Sequence, residues 1–127
     1  MMSCSYDESY LPLSQRILGD MYDYAVNTLS FGIKQYHRLF IVSGIARQFE
    51  IGNPTYVAGM NGCEVAREVI SSCTDRTPEN EDLMYLDKSP EYWVGWALAY
   101  YQWKSAFSFR GFPSFLRQNL YASKQFF

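Results

Sequence analysis

The sequence predicts an all-α protein: a single compact bundle of four to five helices around one aromatic-rich helix at about residues 90–104. Three observations carry this. No stretch of strand length alternates apolar and polar residues, whereas several repeat apolar residues at three- and four-residue intervals. The breaks between those stretches hold glycine, proline, asparagine or serine. The stretch SPEYWVGWALAYYQWK, Ser89–Lys104, has a complete helix start: Ser89 as N-cap, Pro90 at the first helical position and Glu91 where the helix dipole favours a negative charge. Beyond that start the helix is apolar almost all round, with three Trp and three Tyr. That pattern predicts a buried, central helix with most of its rings in the core.

The other elements follow in order. Residues 1–12 read as a loose leader from which Tyr6 or Tyr10 docks back. Ser14 is placed to cap a first helix to about Leu29, with Ile17, Met21, Tyr24, Ala25 and Thr28 inward and Asp20 and Asp23 on the solvated face. Ser30-Phe31-Gly32 breaks the chain. A second helix from about Ile33 to Phe49 has His37 on or near its inner stripe, as a satisfied core histidine, and Ser43-Gly44 either lets another helix come close or kinks it. Gly52-Asn53-Pro54 ends it. Asn61 and Glu64 form a capping box for a third helix to about Cys73. Residues 75–88 are an acidic, irregular connector with a short turn of helix near Asp82–Leu86. After the aromatic helix, Ser114 is placed to cap a last helix through Ala122. Residues 123–127 form a tail ending in Phe126 and Phe127, which pack back or meet a partner.

Composition narrows the function classes. At 127 residues, with 48% hydrophobic and 19% charged residues, the chain suits one globular domain spanning 1–127. A net charge of −2 and a pI of 5.3 argue against a nucleic-acid footprint. A helix-turn-helix over Ser43–Ile70 would put Glu64, Glu68 and only Arg67 on its recognition helix, too little positive charge for phosphate. Three cysteines and one histidine supply neither a disulfide framework nor a zinc quartet, so reduced thiols and no metal site are expected. No signal segment or membrane span is visible, which points to a soluble, cytoplasmic protein. No nucleophile–base pair or phosphate loop has the required spacing, so no catalytic residue and no cofactor are assigned.

Two segments together resemble a known family. Phe40–Val69 contains SGIARQFEIGNPTY, matching SG-x-A-x-x-F-E-x-GNP-x-Y. The aromatic helix contains PEYWVGWALAYYQW, matching PEYW-x-GW-x-LAYYQW. Both are similar to a family of small helical proteins from gut Firmicutes, and the resemblance covers roughly residues 15–112. Family members often stand beside ADP-ribosyltransferase-like proteins in a toxin–antitoxin style arrangement. The resemblance therefore implies a bacterial, antitoxin-like or inhibitory partner of another protein, and it assigns no catalytic residue. Where the family has an aromatic residue and then an arginine ahead of Ser-Phe, this chain has Lys104 and Phe107.

The expected function is a non-catalytic protein-interaction module. Its expected contacts are Glu50, Asn53 and Tyr56 of the GNPTY loop and the Phe126-Phe127 tail. The alternative is a small-ligand site, for a nucleotide or ADP-ribose-type anion, where Glu50, Asn53 and Tyr56 meet Glu91 and Trp93 at the start of the aromatic helix. A DNA-binding helix-turn-helix is the second alternative.

Overall fold

The structure is a computed structural model and describes residues 4–83 and 87–109. The architecture is all-α, as the periodicity predicts, with no strand among the described residues. After a 3-10 turn at Glu8–Tyr10 come six α-helices: α1 (Leu11–Asp23), α2 (Ile33–Val42), α3 (Ile45–Glu50), α4 (Pro54–Val57), α5 (Gly62–Cys73) and α6 (Pro90–Ser105). A π-helical turn, Tyr24–Thr28, extends α1. The predicted last helix over 114–122, the tail with Phe126 and Phe127, and part of the turn near Asp82–Leu86 lie outside the described residues.

The axis of the fold is a pair of antiparallel helices, α1 and α6. Their backbones meet where both lack side chains. A Cβ on Gly95 would lie 2.3 Å from the Leu18 carbonyl oxygen, and one on Gly19 would lie 2.6 Å from the Tyr92 ring. At one end Ser89 caps α6 through the Tyr92 N–H at 3.1 Å and donates its own hydroxyl to Asp23. At the other end the N-terminal segment ties to α6. The Ser5 N–H donates to the Trp103 carbonyl at 3.0 Å, and the Trp103 indole N–H donates to the Tyr6 carbonyl at 2.7 Å. Tyr6 thus docks back as expected. α5 crosses α1 at Gly62, where a Cβ would lie 2.5 Å from the Ile17 carbonyl oxygen.

Four sequence expectations change. The first helix starts at Leu11, so Ser14 lies inside it and is buried rather than capping. Asp20 and Asp23 are buried, because the N-terminal end of α6 and its lead-in cover them. Lys88 reaches Asp20 at 3.7 Å, while Asn27 and Ser89 donate to Asp23. The single helix predicted over 33–49 is two, because Gly44 takes φ +83°, a left-handed turn that ends α2 and starts α3. Finally, α6 is not buried all round. Its inner face, including Val94, Gly95, Leu98, Ala99 and Gln102, is covered, while Trp93, Trp96, Tyr100 and Tyr101 are exposed. Aromatic residues on both faces hide this two-sidedness from any reading based on apolar periodicity.

An aromatic cluster lies within a mostly aliphatic core. Phe40 packs on Tyr22, His37, Phe49 and Phe109, the last at 5.4 Å between ring centroids. His37 is a satisfied core histidine, as expected. The Phe109 carbonyl can only accept, so Nε2 carries the proton toward it at 3.3 Å, and the neutral Nδ1 accepts from the Tyr22 hydroxyl at 2.6 Å. Burial pushes the imidazole below its ordinary value, and the Phe109 hydrogen bond opposes this more weakly. The folded chain therefore takes up this proton less readily than the unfolded chain. Its contribution to stability is complete above about pH 6.5 and is lost as pH falls toward the depressed folded value. Urea midpoints at about pH 7.5 and 5.5 are expected to show this loss in the wild type and a flatter response in His37→Gln. Equal slopes in the two proteins would contradict the assignment.

Candidate functional site

The candidate site is the outward face of α6. Trp93, Trp96 and Tyr100 stand at i, i+3 and i+7, on neighbouring turns of one helix face. They are 43%, 39% and 38% exposed. The helix starts where Ser89, Pro90 and Glu91 were predicted to start it, and it ends where Ala106 turns left-handed at φ +59°. Its inward face is fixed by the Gly95–Leu18 contact, and that contact sets the direction in which the aromatic row points.

The row is pre-arranged by ring contacts. Tyr92 meets Trp93 edge-on at 5.1 Å, and Trp93 meets Trp96 at 5.9 Å. Tyr100 leans on the buried Trp103 at 6.1 Å. Rings so braced lose little conformational freedom on binding, which suits them as anchors. Residues 92–103 contain no Asp, Glu, Lys, Arg or His. Charges stand only at the ends. Asp87, Lys88 and Glu91 lie at the N-terminal end, with Lys88 over the Tyr92 ring at 4.8 Å, and Lys104 lies at the C-terminal end. Burial raises the Tyr92 hydroxyl above its ordinary value, Asp20 adds to this, and the nearby Arg16 opposes it. Each exposed ring leaves roughly 80 Å² of surface in contact with water, or about 2 kcal/mol of transfer free energy unrealised per residue.

Of the residues expected at contacts, Trp93 alone among those described lies on this face. Glu50 is used internally: its carboxylate accepts from the Phe109 N–H at 2.9 Å and from Arg47 at 3.4 Å. Asn53 caps α4 through the Thr55 N–H at 3.1 Å and donates to Gln48 at 2.9 Å. The Tyr56 hydroxyl donates to Glu68 at 2.9 Å, and its ring rests on Phe49. Burial raises the Tyr56 hydroxyl above its ordinary value, and the Glu68 bond adds to this. Glu91 is half-buried in the first turn of α6.

These groups do not converge. The GNPTY loop lies by the C-terminal end of α6, since Gly52 abuts Tyr6, which is bonded to Trp103. Glu91 and Trp93 lie near the opposite end of this helix of 16 residues. The anion pocket expected between them is therefore corrected: among the described residues the loop packs at the other end of α6, and Glu50, Asn53 and Tyr56 do not meet Glu91 and Trp93.

A groove of about 710 Å³ lies elsewhere, between the π turn and the connector, lined by Thr28, Leu29, Phe31, Ile70, Thr74–Thr77, Pro78 and Asn80. The π-helical widening and a left-handed Ser30 at φ +65° shape its wall. Neither was legible, since a π turn has no pattern of its own in a single sequence. The groove's two charged residues, Asp75 and Arg76, are exposed neighbours on the connector.

Other chemistries find little support. Arg67 is bound to Asp82 and reaches the Tyr24 hydroxyl, so α5 presents no free basic row to a phosphate backbone. Among the described residues no group of His, Cys, Asp or Glu is placed to hold a metal, and no helix is long and apolar enough to cross a membrane. The three cysteines are free thiols, and burial pushes Cys63 up to about 11. No family model, no curated protein and no solved structure matches the chain.

Proposed function

We propose that this chain is a non-catalytic protein-interaction module whose docking edge is the outward face of α6. One observation carries the reading: Trp93, Trp96 and Tyr100 stand exposed at i, i+3 and i+7 on a helix whose inner face is already covered by α1 and the N-terminal segment. That spacing is the one by which a helix inserts anchors into an apolar groove on another protein. Trp and Tyr are also the residue types that dominate binding energy at interfaces. On the resemblance carried by GNPTY and PEYWVGWALAYYQW, the partner is a toxin- or defence-type protein, ADP-ribosyltransferase-like, and this chain is its antitoxin-like or inhibitory companion.

The test is Trp96→Glu, which sets a charge in the middle of the row without touching the α1 contact. The full-length variant is expected to keep the wild-type circular dichroism spectrum. In a pull-down from source lysate it is expected to lose a stoichiometric protein partner that the wild type retains, with affinity lower by at least about a hundredfold. A folded variant that holds the same partner as tightly as the wild type would refute the reading.

A further inference from the structure

We propose that the groove beside the π turn is a second binding site, for an uncharged small molecule that carries a flat ring and one hydrogen-bonding group. Its lining comes from the π turn and the residue pair after it, from the end of α5 and from the connector. None of it comes from α6, so the site is separate from the aromatic row and does not depend on it.

Three local costs fall together on one wall. Tyr24–Thr28 gives up α-helical hydrogen bonding for a π turn, a rare geometry that recurs at functional sites. The turn closes with the Phe31 N–H on the Ala25 carbonyl at 2.9 Å, which fixes Phe31 at the groove. Ser30 holds φ +65° there, at a helix end where glycine is the usual left-handed residue. Between them the Thr28 hydroxyl is covered and has no hydrogen-bond partner. A covered, unpaired hydroxyl destabilises a fold, and a methyl group in its place would not. A ligand in the groove supplies the missing partner. Threonine in a helical turn divides between two rotamers, so the hydroxyl can turn toward the groove when a partner stands there.

The walls define the ligand. Leu29, Ile70 and Pro78 are apolar, and Phe31, held edge-to-face by Tyr36 at 6.3 Å, offers its remaining ring surface for stacking. The volume of about 710 Å³ lies within the range of small-molecule sites. Asp75 and Arg76 stand exposed at the rim with opposite signs, so a charged ligand gains from one what it loses to the other. The Thr74 hydroxyl is already used: it donates to the Ile70 carbonyl at 2.8 Å and accepts from the Arg76 N–H at 3.2 Å. Thr28 is therefore the anchoring hydroxyl.

The test is a titration of the full-length chain with indole, an uncharged flat ring with one N–H, followed by NMR of the methyl groups and the tryptophan N–H groups. Saturable shifts are expected at Leu29, Ile70 and Thr28, with a dissociation constant on the order of a millimolar, as suits a ligand of so few atoms. Indole-3-acetate and tryptamine, which add a negative or a positive charge to the same ring, are expected to bind no more tightly. Thr28→Val is expected to leave the urea midpoint of the free protein unchanged or higher and to weaken indole about fivefold, while toluene, which has no hydrogen-bonding group, binds both proteins alike. The absence of a saturable shift at Leu29 and Ile70 overturns the site. Equal shifts at Trp93 and Trp96 also overturn it, because indole would then be coating any exposed ring. A charged analogue that binds about tenfold more tightly overturns the ligand class. A Thr28→Val chain that is less stable than the wild type, or that holds indole as tightly, overturns the role of the hydroxyl on which the proposal stands.

Discussion

Gly95→Val is expected to destabilise the fold by more than about 3 kcal/mol, enough to leave a marginal domain partly unfolded at room temperature. The cause is backbone contact. A Cβ at this position would sit 2.3 Å from the Leu18 carbonyl oxygen and 2.7 Å from its carbon. Neither atom belongs to a flexible side chain that can swing away, so α1 and α6 must separate. Separation strips burial from the longest helix pair in the structure and loosens the Ser89–Asp23 and Ser5–Trp103 ties at its two ends. Valine and glycine differ by only about 0.5 kcal/mol in helix propensity, so the loss reports the clash rather than the helix. Urea unfolding followed by circular dichroism measures it, and a loss under about 1 kcal/mol would mean that the two helices are not in backbone contact.

Phe40→Ala is expected to cost about 3–5 kcal/mol. Phe40 is fully buried and touches the rings of Tyr22, His37, Phe49 and Phe109, which come from α1, α2, α3 and the segment after α6. Four aromatic neighbours held by separate elements cannot collapse together into the space left by one ring, so most of the cavity cost persists. The Phe109 backbone is also pinned, by Glu50 and His37, and cannot follow its ring into the void. A lower urea midpoint with an unchanged slope is the expected signature. A loss below about 1.5 kcal/mol would place Phe40 outside the core.

Much of this fold is legible residue by residue. Ser89, Pro90 and Glu91 mark the start of α6 because capping is local chemistry. The Asn61–Glu64 box marks the start of α5 for the same reason. His37 is readable as a core residue from its place on an apolar stripe. Features set by tertiary contact were not legible. Asp20 and Asp23 look like a solvated pair until Lys88 and Ser89, some 65 residues further on, cover them. Glu50, Asn53 and Tyr56 look free in a punctuated loop, yet their partners are Phe109, Gln48 and Glu68.

The candidate site was half legible. The sequence marks Trp93 as a contact and most rings of α6 as core, and it does not single out Trp96 or Tyr100 from the rest. The two faces differ in what covers them rather than in residue type. Gly95 held the available signal. A lone glycine inside a strong helix marks a close approach, and the residues opposite it on the helical wheel are the ones left outside.

Site-specific photo-cross-linking probes the proposed docking row Trp93–Trp96–Tyr100, with benzoylphenylalanine placed at Trp96 and, as a control, at Ser71 on the exposed side of α5. Adducts to a partner protein are expected from position 96, with none from position 71. Equal adducts from both positions, or adducts from position 71 alone, would contradict that reading and move the binding surface away from α6.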